Sequence, residues 1–147
     1  MTMHHAESQV ERPFNAHQTV RRLAAAEGYL EMQMPLYALA ELNRVGDAGP
    51  FDPIAQLFRG EALQAQEKYA EAIAPLNRAA ETFPVPFNQR ALMALSNCYR
   101  HEGFEHLAEE TAAAADRSAA VSVATRTITP IFQIAPSANR PGVGEHN

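Results

Sequence analysis

The stretch EKYAEAIAPLNRAAETFP, which runs from Glu67 to Pro84, decides the fold. Small alanines, Ala72 and Ala79, alternate in it with large apolar side chains that recur every three or four residues: Tyr69, Ile73, Leu76. This spacing places the apolar side chains on one face of a helix. It predicts a helix from Tyr69 to Thr82 that Pro84 terminates.

Working outward from this helix, the apolar spacing predicts five more. The first begins at Ala16 and the second begins near Pro35. The other three cover about residues 54–66, 89–101 and 104–119. Pro35 suits a first helical turn, where its missing N–H has no partner to lose. The segments GDAGPFDP and FPVPF and the single Gly103 break the chain between them. Six helices joined by short turns predict an all-α, antiparallel layout.

The helices repeat with a period close to 34 residues, as solenoid proteins do. Corresponding positions recur in five series, with a first step of 34 residues and a second of 35 or 36: Tyr29, Leu63 and Tyr99; Ala26, Gly60 and Ser96, which are all small; Ala38, Ala72 and Leu107; Leu42, Leu76 and Thr111; Val45, Ala79 and Ala114. Pro50 and Pro84 end the first two units. One antiparallel pair of helices cannot bury its apolar face alone, so three pairs are expected to stack on a shared core.

This pattern resembles the tetratricopeptide repeat family over about residues 19–118. The second unit matches best, with Gly60, Leu63, Tyr69, Ala72, Leu76, Ala79 and Pro84. The first unit departs at Pro35, where an aromatic residue is usual, and the third departs at Leu107 and Thr111. The resemblance implies a short right-handed α-solenoid whose concave face holds a peptide or a partner's helix.

By the same resemblance, the concave face is lined by the first helix of each pair. Its residues would be Leu23, Glu27, Leu30, Glu31, Leu57, Phe58, Glu61, Gln64, Arg90, Met93, Asn97, Arg100 and His101. The groove would then be acidic and apolar at one end and basic at the other. The alternative for the apolar members, Leu57 and Met93 above all, is that they belong to the core.

Length, charge and composition limit the classes of function that the chain can have. The chain has 147 residues and a net charge of -5, which favours one domain and gives no basic surface for nucleic acid. Its N-terminus lacks an apolar signal core, and no apolar run is long enough to span a bilayer. The single Cys98 excludes an internal disulfide. A cytoplasmic location without membrane contact is the expectation.

No constellation of residues predicts catalysis, a cofactor or a metal site. His4 and His5 are adjacent near the terminus, and His101 and His106 lack the i, i+4 spacing of helical metal ligands. Glu27, Glu31 and Glu61 read as solvated helix faces, and the thiol of Cys98 reads as a packed one. The predicted partner is another protein or peptide.

Three segments are expected: a flexible N-terminal 1–16, a helical domain 17–119 and a flexible tail 120–147. Pro130 favours an extended course for the tail. The tail has four apolar residues: Ile128, Ile131, Phe132 and Ile134. They could dock on the repeats, within one chain or across a homodimer. Alternatively, the tail could be a plain linker. The functional hypothesis is an adaptor or scaffold. A secretion-type or assembly chaperone is the alternative, and a small enzyme or metal-binding protein is the third.

Overall fold

The computed structural model describes the backbone of residues 13–138 and the side chains of residues 13–124. The described residues form helices and turns, with no strand among them, which confirms the all-α prediction. The helices are α1 (Ala16–Glu31), α2 (Pro35–Asn43), α3 (Asp52–Ala65), α4 (Tyr69–Thr82), α5 (Gln89–His101) and α6 (Glu105–Ala138), with a 3-10 turn at Gly49–Phe51. The bounds of α4 and α5 are those that the sequence predicts.

Local chemistry explains where the first three helices begin. The side-chain oxygen of Asn15 accepts a hydrogen bond of 3.0 Å from the backbone N–H of Gln18, which caps α1. Pro35 opens α2 and Pro53 lies in the first turn of α3, where a proline costs no helical hydrogen bond. These starts are encoded within a few residues of each helix.

The turn inside each helix pair has the same geometry in all three pairs. One residue in each turn has a positive φ: Gln33 (60°), Glu67 (59°) and Gly103 (83°). The next N–H reaches back five residues to a carbonyl: Met34 to Tyr29 (2.8 Å), Lys68 to Leu63 (2.9 Å) and Phe104 to Tyr99 (2.9 Å). This is the 6→1 bond of a Schellman motif. The repeat read from side-chain size therefore has a counterpart in the backbone.

Consecutive helices pack on one another along the whole series from α1 to α6. The first helices are also in contact, α1 with α3 and α3 with α5. The small residues lie at these contacts between helices, as the alternation of small and large apolar residues in the sequence predicts. All of them are buried: Ala26, Gly60, Ala72, Ala79 and Ser96. The hydroxyl of Ser96 on α5 donates a 2.8 Å hydrogen bond to the carbonyl of Ala108 on α6. Small side chains thus allow the close contact that holds each pair together.

The C-terminal region differs from the prediction. Helix α6 continues to Ala138, so the extended course expected for residues 128–134 is wrong. A proline removes one backbone hydrogen bond, and a helix of 34 residues retains the bonds on either side of it. The hydroxyl of Ser118 joins α6 to the loop before α5: it lies 3.1 Å from the Pro86 carbonyl oxygen and 2.6 Å from Asn88 Oδ1, and its single proton is donated to one of these two acceptors at a time.

Some predictions fall outside the described residues. They concern residues 1–12 and 139–147 and the side chains of Ile128, Ile131, Phe132 and Ile134. Docking of these four side chains on the repeats therefore stays a prediction. None of the described helices is both long enough and apolar enough to cross a membrane.

Candidate functional site

A cavity of about 340 Å³ opens where the first helices of the three pairs meet. We call it the groove cavity. Six predicted groove residues line it, including Leu30; the charged and amide members come from α1 (Glu27 and Glu31), α3 (Glu61 and Gln64) and α5 (Arg90). Leu30, Gln33 and Ala65 complete the lining. Residues separated by more than sixty positions in the sequence thus meet around one cavity.

An ion pair joins α3 to α5 at this cavity. Arg90 donates from Nε to one carboxylate oxygen of Glu61 at 2.8 Å and from Nη2 to the other at 2.7 Å. The guanidinium carbon also lies 5.6 Å from the ring centroid of Phe58. This bidentate geometry fixes both groups more firmly than a single contact would. The arginine is therefore paired with α3 while it lines the cavity, and its assignment to a basic end of a partner-binding groove stays a prediction.

The charge around Arg90 is acidic. The hydrogen bond to Glu61 raises the pKa of Arg90, and the charges of Glu61, Glu27 and Glu31 add to this increase while burial opposes it. The cavity is lined by three carboxylates and one guanidinium, which leaves two negative charges in excess. Glu27 and Glu31 carry this excess.

Glu27 and Glu31 lie one helical turn apart on α1, on the same face. Neither carboxylate forms a hydrogen bond or an ion pair with the described residues. Like charges at i, i+4 repel each other, by about 0.2–0.5 kcal/mol in isolated helices. The groove cavity thus presents two adjacent carboxylates that the described part of the chain does not neutralise.

Three predicted groove residues belong to the core. Leu23, Leu57 and Phe58 are only 5%, 6% and 5% exposed. All three belong to the buried hydrophobic cluster. The alternative noted for Leu57 therefore holds, while Met93, for which the same alternative was open, is 58% exposed.

The remaining predicted residues on α5 lie outside the groove cavity. Asn97 is half-buried, and Arg100 is exposed with its Nε 3.7 Å from a carboxylate oxygen of Glu105. The ring of His101 stacks on Tyr69, with centroids 4.0 Å apart and planes 2° apart. His101 therefore packs against the start of α4, a contact that the spacing of residues in the sequence does not predict.

Sequence reasoning did not anticipate a second cavity, of about 460 Å³, between the start of α1 and the end of α2. Its lining includes Arg21, Arg22, Glu41 and Arg44. Glu41 accepts a 2.9 Å contact from Arg22 and lies 3.7 Å from Arg44. This carboxylate is shared between two arginines, so much of the local charge is already compensated.

The described residues include no group of three side chains that could hold a metal ion. Burial, with a smaller contribution from the Glu102 carboxylate, raises the pKa of the Cys98 thiol to about 11. A thiol with that pKa stays protonated near neutral pH, whereas reactive cysteines need the thiolate. Cys98 is thus a packed core side chain.

Comparisons with protein-family models, with curated proteins and with solved structures found no match to this chain. The tetratricopeptide resemblance therefore stays a prediction from the residues.

Proposed function

We propose that this chain is a protein-interaction module that holds a peptide or helix of a partner protein along α1, α3 and α5. The observation that carries the proposal is the groove cavity, which the first helices of all three pairs build together and in which two carboxylates, those of Glu27 and Glu31, form no ion pair with the described residues. Like charges one helical turn apart repel each other and do not stabilise the fold. Left unpaired, they suit a ligand.

The repeated architecture supports this proposal. The Schellman turn recurs at Gln33, Glu67 and Gly103, and the first helices contact each other in order. We propose that the three pairs stack as a short right-handed solenoid of the tetratricopeptide type. Such stacking aligns the first helices along one concave surface, and extended concave surfaces are what repeat proteins use for binding.

The exposed apolar surface supports a protein partner. Met93, on the same helix as Arg90, is 58% exposed. Methionine is common at binding surfaces because its flexible side chain adapts to different partners. Met93 lies three residues after Arg90, on the same face of α5, so an exposed methionine beside the charged cavity suits an amphipathic peptide or helix.

The test is a capture experiment with the immobilised full chain and a variant whose groove is filled. Ala65 lines the groove cavity and is exposed, so Ala65→Trp should occupy the cavity without disturbing the core. The control is Ala70→Trp, at an exposed position of α4 that does not line the cavity. Both variants should retain the far-ultraviolet circular dichroism of the parent.

Captured proteins identified by mass spectrometry should include at least one that Ala65→Trp loses and Ala70→Trp retains. Titration of that purified protein against the three chains should reproduce the difference. If every purified partner binds all three chains equally, the proposed groove is wrong. A groove partner that unfolds or aggregates when it is separated from this chain would favour the chaperone alternative over the adaptor.

A further inference from the structure

We propose that the segment bound in the groove carries a lysine or arginine whose cationic group lies between the carboxylates of Glu27 and Glu31. This inference rests on the proposed function and adds the charge of the recognised segment. It starts from the lining of the groove cavity, in which these two glutamates are the only carboxylates without an ion pair among the described residues that line it.

The charges of Glu27 and Glu31 act on Arg90 at longer range, but Arg90 forms its ion pair with Glu61. Its Nε and one Nη are both held by Glu61, and one face of its guanidinium lies over Phe58. Moving Arg90 towards α1 would break two short charge-assisted hydrogen bonds. The excess negative charge at Glu27 and Glu31 therefore persists in the free protein, and a cation from outside is its complement.

A side-chain cation fits this site better than a metal ion does. The described residues contain no group of three ligands close enough to hold a metal. A lysine or arginine needs fewer contacts, because its charge can be shared between two carboxylates while solvent completes its shell. The half-buried Leu30 and the exposed Ala65 offer apolar surface to the aliphatic stem of such a side chain.

The same charges discriminate against acidic segments. A carboxylate brought into the groove cavity would meet Glu27 and Glu31, and it would have to compete with Glu61 for Arg90. Repulsion of the wrong partner contributes to specificity as much as attraction of the right one. The site therefore selects a basic segment by both means.

The first experiment uses a phage-displayed library of short random peptides as the probe. It selects on the full chain and then removes phage that also bind Ala65→Trp, so that the surviving peptides depend on the groove. These peptides should be enriched in Lys or Arg relative to the unselected library. Groove-dependent peptides without that enrichment would overturn the inference and leave the proposed function standing. If no peptide depends on the groove, both proposals fail.

The second experiment measures one selected peptide by titration. The double variant Glu27→Gln/Glu31→Gln should weaken its binding about tenfold at low salt, since it removes two charge contacts, one at a half-buried and one at an exposed position. The control Glu71→Gln/Glu109→Gln makes the same change in net charge at exposed positions away from the cavity, and it should bind like the parent.

A double-mutant cycle then assigns the contact. Replacing the basic residue of the peptide by Gln should cost about tenfold against the parent and little against Glu27→Gln/Glu31→Gln, because contacting groups are not additive. The loss should shrink in high salt. Equal losses against both chains would show that the cation binds elsewhere, which would overturn the inference.

Discussion

Leu76 of α4 occupies the space that a side chain at Gly60 of α3 would need. A Cβ placed on Gly60 would overlap the Leu76 side chain, which is itself fully buried. The two helices of the second pair therefore approach each other closely at a position where one of them has no side chain. The absence of a side chain at position 60 is thus a packing requirement, and the backbone there is ordinary helix.

Gly60→Ala should lower the free energy of unfolding by about 1–3 kcal/mol, because the added methyl group must displace Leu76 in a filled core. Gly28→Ala is the control, since a Cβ there meets nothing within 4 Å. That variant should gain about 0.5–1 kcal/mol from better helix propensity. Urea denaturation measures both. Equal stabilities of Gly60→Ala and the parent would mean that the close approach is not present in solution.

Ala72→Leu should also cost about 1–3 kcal/mol, because Ala72 is fully buried where α4 meets its neighbours. Ala74→Leu is the matched control on the same helix, at an exposed position. Thermal melts should show a lower midpoint for Ala72→Leu alone. A melt of Ala72→Leu that overlays the parent would contradict the assigned role of small residues in helix packing.

Removing a glycine from one Schellman turn and adding one to another should have opposite effects on the free energy of unfolding. Gly103→Ala should cost about 1 kcal/mol, because φ is 83° there and an alanine is strained at that angle although the surrounding space is empty. Glu67→Gly should stabilise the chain by about 0.5 kcal/mol, since it relieves a non-glycine residue at φ 59°. Chemical denaturation of both variants checks the signs, and a destabilised Glu67→Gly would show that its side chain makes a compensating contact.

The Glu61–Arg90 pair should contribute about 0.5–1 kcal/mol, because both side chains remain partly exposed. A double-mutant cycle with Glu61→Gln and Arg90→Met measures this coupling, and added salt should reduce it. The ion pair Arg78–Asp52, at 2.9 Å between α4 and α3, is a comparison away from the groove cavity. A coupling of zero for Glu61 and Arg90 would argue that the arginine is free to contact a ligand.

Cys98 should make stability fall with rising pH in the alkaline range. Its pKa is about 11 in the folded chain against an ordinary 9.0, so the native state holds the proton that the unfolded chain releases. The contribution is complete below pH 9 and is lost as the pH rises towards 11. Cys98→Ala should lack this decline, as seen by urea denaturation at a series of alkaline pH values. An identical decline in both chains would assign it to other groups.

Short-range physics makes the helices predictable. The bounds of α4 and α5 follow from apolar spacing and flanking prolines, and those signals act over a few residues. The same is true of Pro35 at the start of α2. The end of α6 is different. Pro130 argues locally for an extended course, but one lost hydrogen bond does not end a long helix.

The candidate site was only partly predictable, because the rotation of each helix about its axis depends on its neighbours. Periodicity places Leu23, Leu57 and Phe58 near the groove face, but packing turns them into the core. Met93 occupies an equivalent place on α5 and stays exposed. A residue on the border of two faces can lie in either, and only the packed helices decide.

By itself, then, the sequence determined six helices, their pairing, the small residues at their contacts and the two glutamates in the second half of α1. The tertiary structure alone decided that Arg90 pairs with Glu61, 29 positions away, and that Glu27 and Glu31 are left without an ion pair beside them. The physical reason is that hydrogen bonds and charge pairs form between side chains within a few ångströms in space. Distance along the chain does not specify which side chains those are.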